Sequence, residues 1–306
     1  MGRISTFGQS QSLLTTLINN QQQVFQTQER LNTGKEASDF TGLSTKASTL
    51  MNTKAFKSRV DTFKEVITTV QGKVDANDVQ ITGIMNMARE FRQNIIDIIA
   101  QNEAVAFEST LSNTFSFVAD SLNTEVGGVF IFGGSKTDVQ PVTTSAISDL
   151  VAAGAASDLF VNDQQYQKAR VTENVTMDFS LLADEIGLDL FNSIKAIADY
   201  HFGGPGIDGP LSVADSAFLT AELATLDTAI EKSQAVQTRN GLKYERLQII
   251  GEQHIDTSLF LTNFISDIED TNVAEAITKL NMDKTALEAS IRTLAMVSNL
   301  SLLKFL

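Results

Sequence analysis

Between residues 11 and 31 large apolar side chains recur at intervals of three and four. At 100° per residue Leu13, Leu14, Leu17, Ile18, Val24, Phe25 and Leu31 fall within an arc of about 140°. Asn19, Gln22, Gln23, Gln26, Glu29 and Arg30 lie outside that arc, so the pattern predicts an amphipathic helix. It starts near Ser5 or Thr6, either of which can cap a helix, and stops at Asn32-Thr33-Gly34, where glycine accepts left-handed backbone. Residues 273–303 repeat the pattern. There Ala276, Ile277, Leu280, Leu287, Ile291, Leu294 and Ala295 share one face, and Leu280, Leu287 and Leu294 keep the heptad spacing of a coiled coil. Asn272 followed by Glu275 has the form of a capping box at its start. Neither stripe has a partner in its own half of the chain, so the two most simply bury each other.

Gly34 to Leu43 reads as a short connector, and Ser44 to Gln101 as one helix in which Gly72 and Gly83 each cost about 1 kcal/mol relative to alanine. A further helix is expected over Phe107–Val126. The run Gly127-Gly128-Val129-Phe130-Ile131-Phe132-Gly133-Gly134 then reads as a strand entering a turn. Residues 137–180 carry weaker signals, with strand-like pieces at Leu159–Val161 and Ala169–Met177, which predicts a small β-containing insertion. Helical pattern resumes over Leu182–Tyr200, stops in the Gly/Pro loop Gly203–Pro210, and continues from Ser212 to Glu269, with Gly241 and Gly251 as soft points. That last helix would be roughly 85 Å long and needs a partner along its length, for which the 44–101 helix is available. The expected fold is mainly α and elongated, in three nested parts. Residues 1–42 with 270–306 form a terminal coiled coil, 43–136 with 181–269 a long antiparallel helical bundle, and 137–180 a small distal β-containing domain.

The N-terminal helix also holds Thr15, Thr16, Asn19, Asn20 and Thr27, all of poor helix propensity. Packing on a single partner therefore barely offsets the entropy of ordering it, and further neighbours are required. Met296, Val297, Leu300, Leu302 and Leu303 spread around the C-terminal helix, as in an end buried on several sides. Both ends are accordingly expected to be disordered in the monomer and to become a helical pair when copies stack. Gln21 and Gln28 lie inside the N-terminal stripe. They are either solvated or bond neighbouring copies and fix register, as single polar residues do in coiled coils. The expected assembly interface is thus Leu13, Leu14, Leu17, Ile18, Gln21, Val24, Phe25, Gln28, Leu31, Ile277, Leu280, Leu287, Ile291, Leu294, Leu300, Leu302 and Leu303.

Charge narrows the partners. With 37 acidic and 23 basic side chains in 306 residues, a net charge of -14 argues against a nucleic-acid backbone or an anionic membrane as the main partner. There is no Cys, which excludes disulfides and thiolate metal sites. No stretch has the length of a membrane span, and Met1–Gln9 lacks the pattern of a cleaved signal peptide, so no membrane insertion is expected. His201 and His254, the 2 histidines, have no partners at metal or relay spacing. Gly133-Gly134-Ser135-Lys136-Thr137 breaks the order a phosphate loop needs and reads as hairpin chemistry. Asp184, Glu185 and Asp189, like Asp267, Glu269 and Asp270, sit where helix ends are expected, so charge at helix termini explains them better than paired catalytic carboxylates. Met1-Gly2 with Thr6 fits an acylation pattern of low specificity. No catalytic, cofactor or metal residues are assigned.

Several motifs carry a family resemblance. Met1-Gly2-Arg3-Ile4-Ser5-Thr6 resembles an M-R-I-S-T start with one extra glycine, and Glu29-Arg30-Leu31-Asn32-Thr33-Gly34-Lys35 resembles an L-S/N-T-G-K signature. Phe130-Ile131-Phe132-Gly133-Gly134-Ser135-Lys136-Thr137-Asp138 is similar to Y-L-F-x-G-x-x-T-D, and Leu300-Ser301-Leu302-Leu303-Lys304-Phe305-Leu306 to L-S-L-x-D-Y-L. These are features of the flagellin family, and within it of the hook–filament junction branch (hook-associated protein 3). The resemblance implies a terminal coiled coil, a long helical bundle and a distal β region. It also implies export of the unfolded chain by the flagellar type III route with a chaperone, and extracellular assembly with copies of itself, flagellin and another hook-associated protein. At Met87-Ala88-Arg89-Glu90-Phe91 the chain departs from the family's R-x-R-E-L, so recognition by an innate immune receptor is not implied. The expected function is a structural subunit joining hook to filament. Flagellin forming the filament itself is the alternative within the family, and a soluble helical enzyme the alternative outside it.

Overall fold

The computed structural model describes the backbone of residues 6–37, 39, 43, 46–204 and 206–302, and side chains between residues 8 and 297. The chain is mainly α. In order it forms α1 (Thr6–Thr33), α2 (Ala47–Gln101), β1 (Glu103–Ala104), α3 (Phe107–Leu122), β2 (Glu125–Val126), β3 (Val129–Phe130) and α4 (Ile147–Ala152). It continues with β4 (Lys168–Arg170), β5 (Thr176–Asp178), α5 (Ala183–Gly203), β6 (Gly209–Pro210), α6 (Val213–Glu269) and α7 (Val273–Leu302). The chain divides into two compact units, residues 1–59 with 256–306 and residues 60–255. The division crosses α2 and α6 instead of falling at the connectors where the sequence pattern divides the chain, and residues 137–180 belong to the second unit.

The predicted helices form, with local corrections. Both α2, of 55 residues, and α6, of 57, run unbroken past Gly72, Gly83, Gly241 and Gly251. The small propensity cost of each glycine is outweighed by packing, as where Gly83 lies against Phe117 and Gly251 against Ile67. The expected start of α2 at Ser44 lies outside the described residues. At the start of α6, Ser212 Oγ accepts the Asp215 N–H (3.1 Å) while Asp215 Oδ2 accepts the Ser212 N–H (2.8 Å), a reciprocal cap.

In the second unit α2 and α6 run antiparallel. Gln237 Nε2 donates to Thr82 Oγ1 at 2.8 Å, Asn240 Nδ2 to the Val74 carbonyl at 2.8 Å, and Arg92 pairs with Asp227. Ile81, Ile84, Ala88, Phe91, Ile95 and Ile98 of α2 form a helical stripe buried against Phe107, Leu111, Phe115, Val118 and Leu122 of α3. Leu190, Phe191, Ile194 and Ile197 of α5 and Leu219, Leu226 and Ile230 of α6 complete that core. Phe191 is its hub, with Phe115 and Phe160 ring centroids 4.8 and 5.0 Å away. A second cluster joins Ile67, Val70 and Val74 of α2 and Leu247 of α6 to Val171, Met177 and Phe179.

The β elements are smaller than expected. Helix α3 ends at Leu122, short of Val126, because the Asn123 side chain pairs with the backbone of Val142 through its Nδ2 and Oδ1, both at 2.9 Å. Glu125–Val126 and Val129–Phe130 then make a hairpin whose turn residues Gly127 and Gly128 have φ of 63° and 82°, as a type I′ turn requires. Of the expected strand across Gly127–Gly134 only Val129–Phe130 is a strand, and Gly133 makes a single bridge to Leu182. Leu159 ends a short 3-10 helix and Phe160 makes one bridge to Val142. The strand-like run Ala169–Met177 folds back on itself into β4 and β5, because Thr172 Oγ1 accepts the N–H groups of Asn174 and Val175.

Candidate functional site

The first unit contains the predicted interface. Gly34, with φ of 69°, ends α1, and its N–H bonds the Arg30 carbonyl at 2.8 Å. The next residues tie this end of α1 to the α6–α7 corner. Glu36 N–H donates to the Glu269 carbonyl (2.7 Å) and Thr271 N–H to the Gly34 carbonyl (2.9 Å), flanking a bridge between Lys35 and Asp270. Lys35 Nζ lies 2.6 Å from Asp270 Oδ1 and 3.5 Å from Glu269 Oε2, and Lys54 Nζ lies 2.6 Å from Glu269 Oε1. The Asp270 carboxylate raises the Lys35 pKa above the ordinary lysine value. Hydrogen bonds from Lys35 and then from Ser266 hold Asp270 below the usual carboxylate range, and Lys54 does the same for Glu269. The Thr33-Gly34-Lys35 run, read from the sequence as a helix stop, is therefore also half of a charged latch.

From this corner α1 and α7 pack together within a single chain. This corrects the expectation that the two ends pair only when copies stack, since the seam's apolar and polar layers are satisfied without a neighbour. Leu13, Leu17, Asn20, Val24, Thr27 and Leu31 turn toward α7, spaced by alternating fours and threes. Facing them are Ala276, Leu280, Asp283, Leu287, Ser290, Leu294 and Val297, with the same alternation. Ala276 is 6% exposed. Two layers of this seam are polar. Asn20 Nδ2 donates to Ser290 Oγ at 2.7 Å, and Thr27 Oγ1 donates to Asp283 Oδ2 at 2.8 Å. Thr27 is 3% and Asp283 9% exposed, so the second bond is buried. At the head of α7, Asn272 Oδ1 accepts the N–H groups of Ala274 (3.1 Å) and Glu275 (3.3 Å), the Asn272 half of the capping box expected there.

The structure splits the predicted residues into two rows. Leu13, Leu17, Val24, Leu31, Leu280, Leu287 and Leu294 belong to the seam. Leu14, Ile18, Gln21, Phe25 and Gln28 stand one position on and form a second row with the same four–three alternation, all exposed. Leu14 is 50%, Ile18 53% and Phe25 66% open to solvent. On α7, Ile277 and Ile291 are likewise exposed, and so are Val273, Met282 and Met296. Leu300 and Leu302 lie in α7 with side chains beyond those described, and Leu303 lies outside the described residues. The polar seam residues Asn20, Thr27, Asp283 and Ser290 are absent from the sequence-based interface. The heptad midpoints of the Leu280, Leu287 and Leu294 repeat fall on Asp283 and Ser290, which was the available signal.

Other candidate chemistry resolves into structure. His201 Nδ1 accepts the Ile207 N–H (2.9 Å) beside Phe107, and His254 Nε2 bonds the Val171 carbonyl (2.8 Å) beside Phe63. The Gly133–Thr137 turn is held by Asp163, which accepts both the N–H and the hydroxyl of Ser135. Asp184 and Glu185 occupy the first turn of α5, where Asp184 accepts from Asn162 and Gln164, and Glu185 from Tyr166 and Arg239. Among the described residues there is no cluster of three or more His, Cys, Asp or Glu placed to hold a metal, and no helix long and apolar enough to cross a membrane.

No protein-family model and no curated protein matches the sequence. Solved structures do match its fold. A structure described as a flagellar hook-associated protein of Vibrio parahaemolyticus aligns over 76% of this chain and 99% of its own, with TM-score 0.58 and 18% identity. Flagellar hook-associated protein-3 of Legionella pneumophila aligns over 71% and 98%, with TM-score 0.57 and 10% identity. FlgL of Bacillus cereus aligns over 69% and 99%, with TM-score 0.54 and 12% identity. The chain thus has the fold of these hook-associated proteins, reached with little sequence in common.

Proposed function

We propose that this protein is a structural subunit of the bacterial flagellum that joins hook to filament, and that its terminal helix pair is the assembly element. The observation that carries this reading is the double row on α1. One row is covered by α7, while Leu14, Ile18 and Phe25 offer water a second helix-packing surface of the same spacing. In this reading neighbouring copies cover that second row together with Ile277 and Ile291, and Gln21 and Gln28 bond across the contact. The partners are copies of this chain, flagellin and another hook-associated protein, and the route is chaperone-assisted flagellar export to the cell exterior. The shared fold and the motif resemblance support the assignment.

Deleting the protein in its own host, followed by electron microscopy, tests the role. Hooks without filaments and flagellin shed into the medium are expected. Normal filaments would overturn it, and long filaments grown from the purified protein alone would assign it to the filament instead.

A further inference from the structure

The leucine layers of the α1–α7 seam look alike every seven residues, so they do not by themselves distinguish the observed pairing from one displaced by a heptad. The polar layers do. With Asn20 on Ser290 and Thr27 on Asp283, every seam group that needs a hydrogen bond meets one that can make it. Val24 lies between those layers, level with Leu287. Sliding α7 by one heptad in one direction sets Asn20 against Val297. Sliding it in the other sets Thr27 against Ala276 and Ser290 against Leu13. Each slide takes a polar group from its partner; Ser290 keeps its bond to the Ala286 carbonyl, whereas parting the buried Thr27–Asp283 pair disfavours the displaced pairing by about tenfold or more.

We infer that the Asn20–Ser290 and Thr27–Asp283 layers carry along the terminal helices the register that the Gly34–Thr271 and Glu36–Glu269 backbone bonds set at the corner, holding one alignment of α1 on α7 against displaced ones that the leucines would accept. Register also decides which exposed residues of α1 stand level with which of α7. That consequence rests on the assembly reading, whereas the alignment itself concerns a single chain and stands or falls separately.

The natural chain has no cysteine, so paired cysteines report alignment without background. Three full-length variants would be oxidised in dilute solution and their intramolecular disulfides measured by mass spectrometry. Val24→Cys with Leu287→Cys meets in the observed register. Val24→Cys with Leu294→Cys, and Leu17→Cys with Leu287→Cys, meet only after a slide in one or the other direction. In the natural background the first pair should close and the other two should not. With E36P and T271P added to every variant to remove the two backbone donors of the corner, the displaced pairs should stay open until N20L, T27L, D283L and S290L are also introduced, and should then close at least about tenfold more. Exchanging one layer, T27D with D283T, should restore the single alignment. Displaced closure with the polar layers intact, or its absence in the leucine background with helix content retained, would overturn the proposal. Collapse of helix content in the leucine background would assign the polar layers to stability and overturn it equally. Incorporation into flagella is scored independently of these disulfides.

Discussion

Gly34 holds a φ of 69°, and a Cβ built on it would meet nothing within 4 Å. The cost of Gly34→Ala is therefore purely conformational, about 1 kcal/mol, and should appear as a matching loss in urea-unfolding stability. The neighbouring latch responds to pH from both sides. Asp270 and Glu269 are held below the usual carboxylate range, so their contribution is complete above the ordinary carboxylate value and is lost as pH falls through the depressed one. Lys35 is raised, so its contribution is complete below the ordinary lysine value and is lost as pH climbs through the raised one. Lys35 and Asp270 are both nearly half exposed, and solvent screening keeps the pair modest. D270N should cost about 0.5 kcal/mol at neutral pH and should flatten the acid side of the stability profile, read by circular dichroism from about pH 7 to pH 3.

At the scale of elements, the two rows of α1 should separate by substitution. Leu17→Ala, in the seam, should lower the melting stability of the isolated protein by about 1.5 kcal/mol, the cost of a half-buried leucine. Phe25→Ser, in the open row, should leave that stability within about 0.5 kcal/mol while abolishing incorporation into flagella. Equal losses of stability from both would show that the open row is covered within one chain. Existence and order of the long helices were legible in the sequence because the 3.6-residue period persists over long windows, whereas the six-residue α4 lies inside the stretch read as β-containing and is too short to show a period. The division of the stripe was not. A 140° arc is wider than one partner helix covers, and periodicity alone does not say which edge is taken. The polar seam positions stayed hidden because an apolar stripe is traced through leucines, so Asn20 and Thr27 register as weak helix formers instead of paired groups. The hairpin at 169–177 was missed for a related reason, since the hydroxyl of Thr172 does turn work that β propensity does not report.

For the whole molecule, charge opposes what the open row favours. At a net charge of -14, copies repel until close apolar contact outweighs the field. Raising ionic strength from about 10 mM to 150 mM shortens the screening length from about 30 Å to about 8 Å, and self-association followed by light scattering should strengthen accordingly. Loss of association on adding salt would instead place ion pairs at the centre of the contact. The two chain ends also guard each other. Removing α1 alone would lay bare Leu280, Leu287 and Leu294, and removing α7 alone would uncover Leu13, Leu17, Val24 and Leu31, each a greasy ridge fit to aggregate. A protein nicked at one extremity should therefore precipitate sooner than one shorn of both, which makes stray proteolysis of a single tail the more damaging lesion.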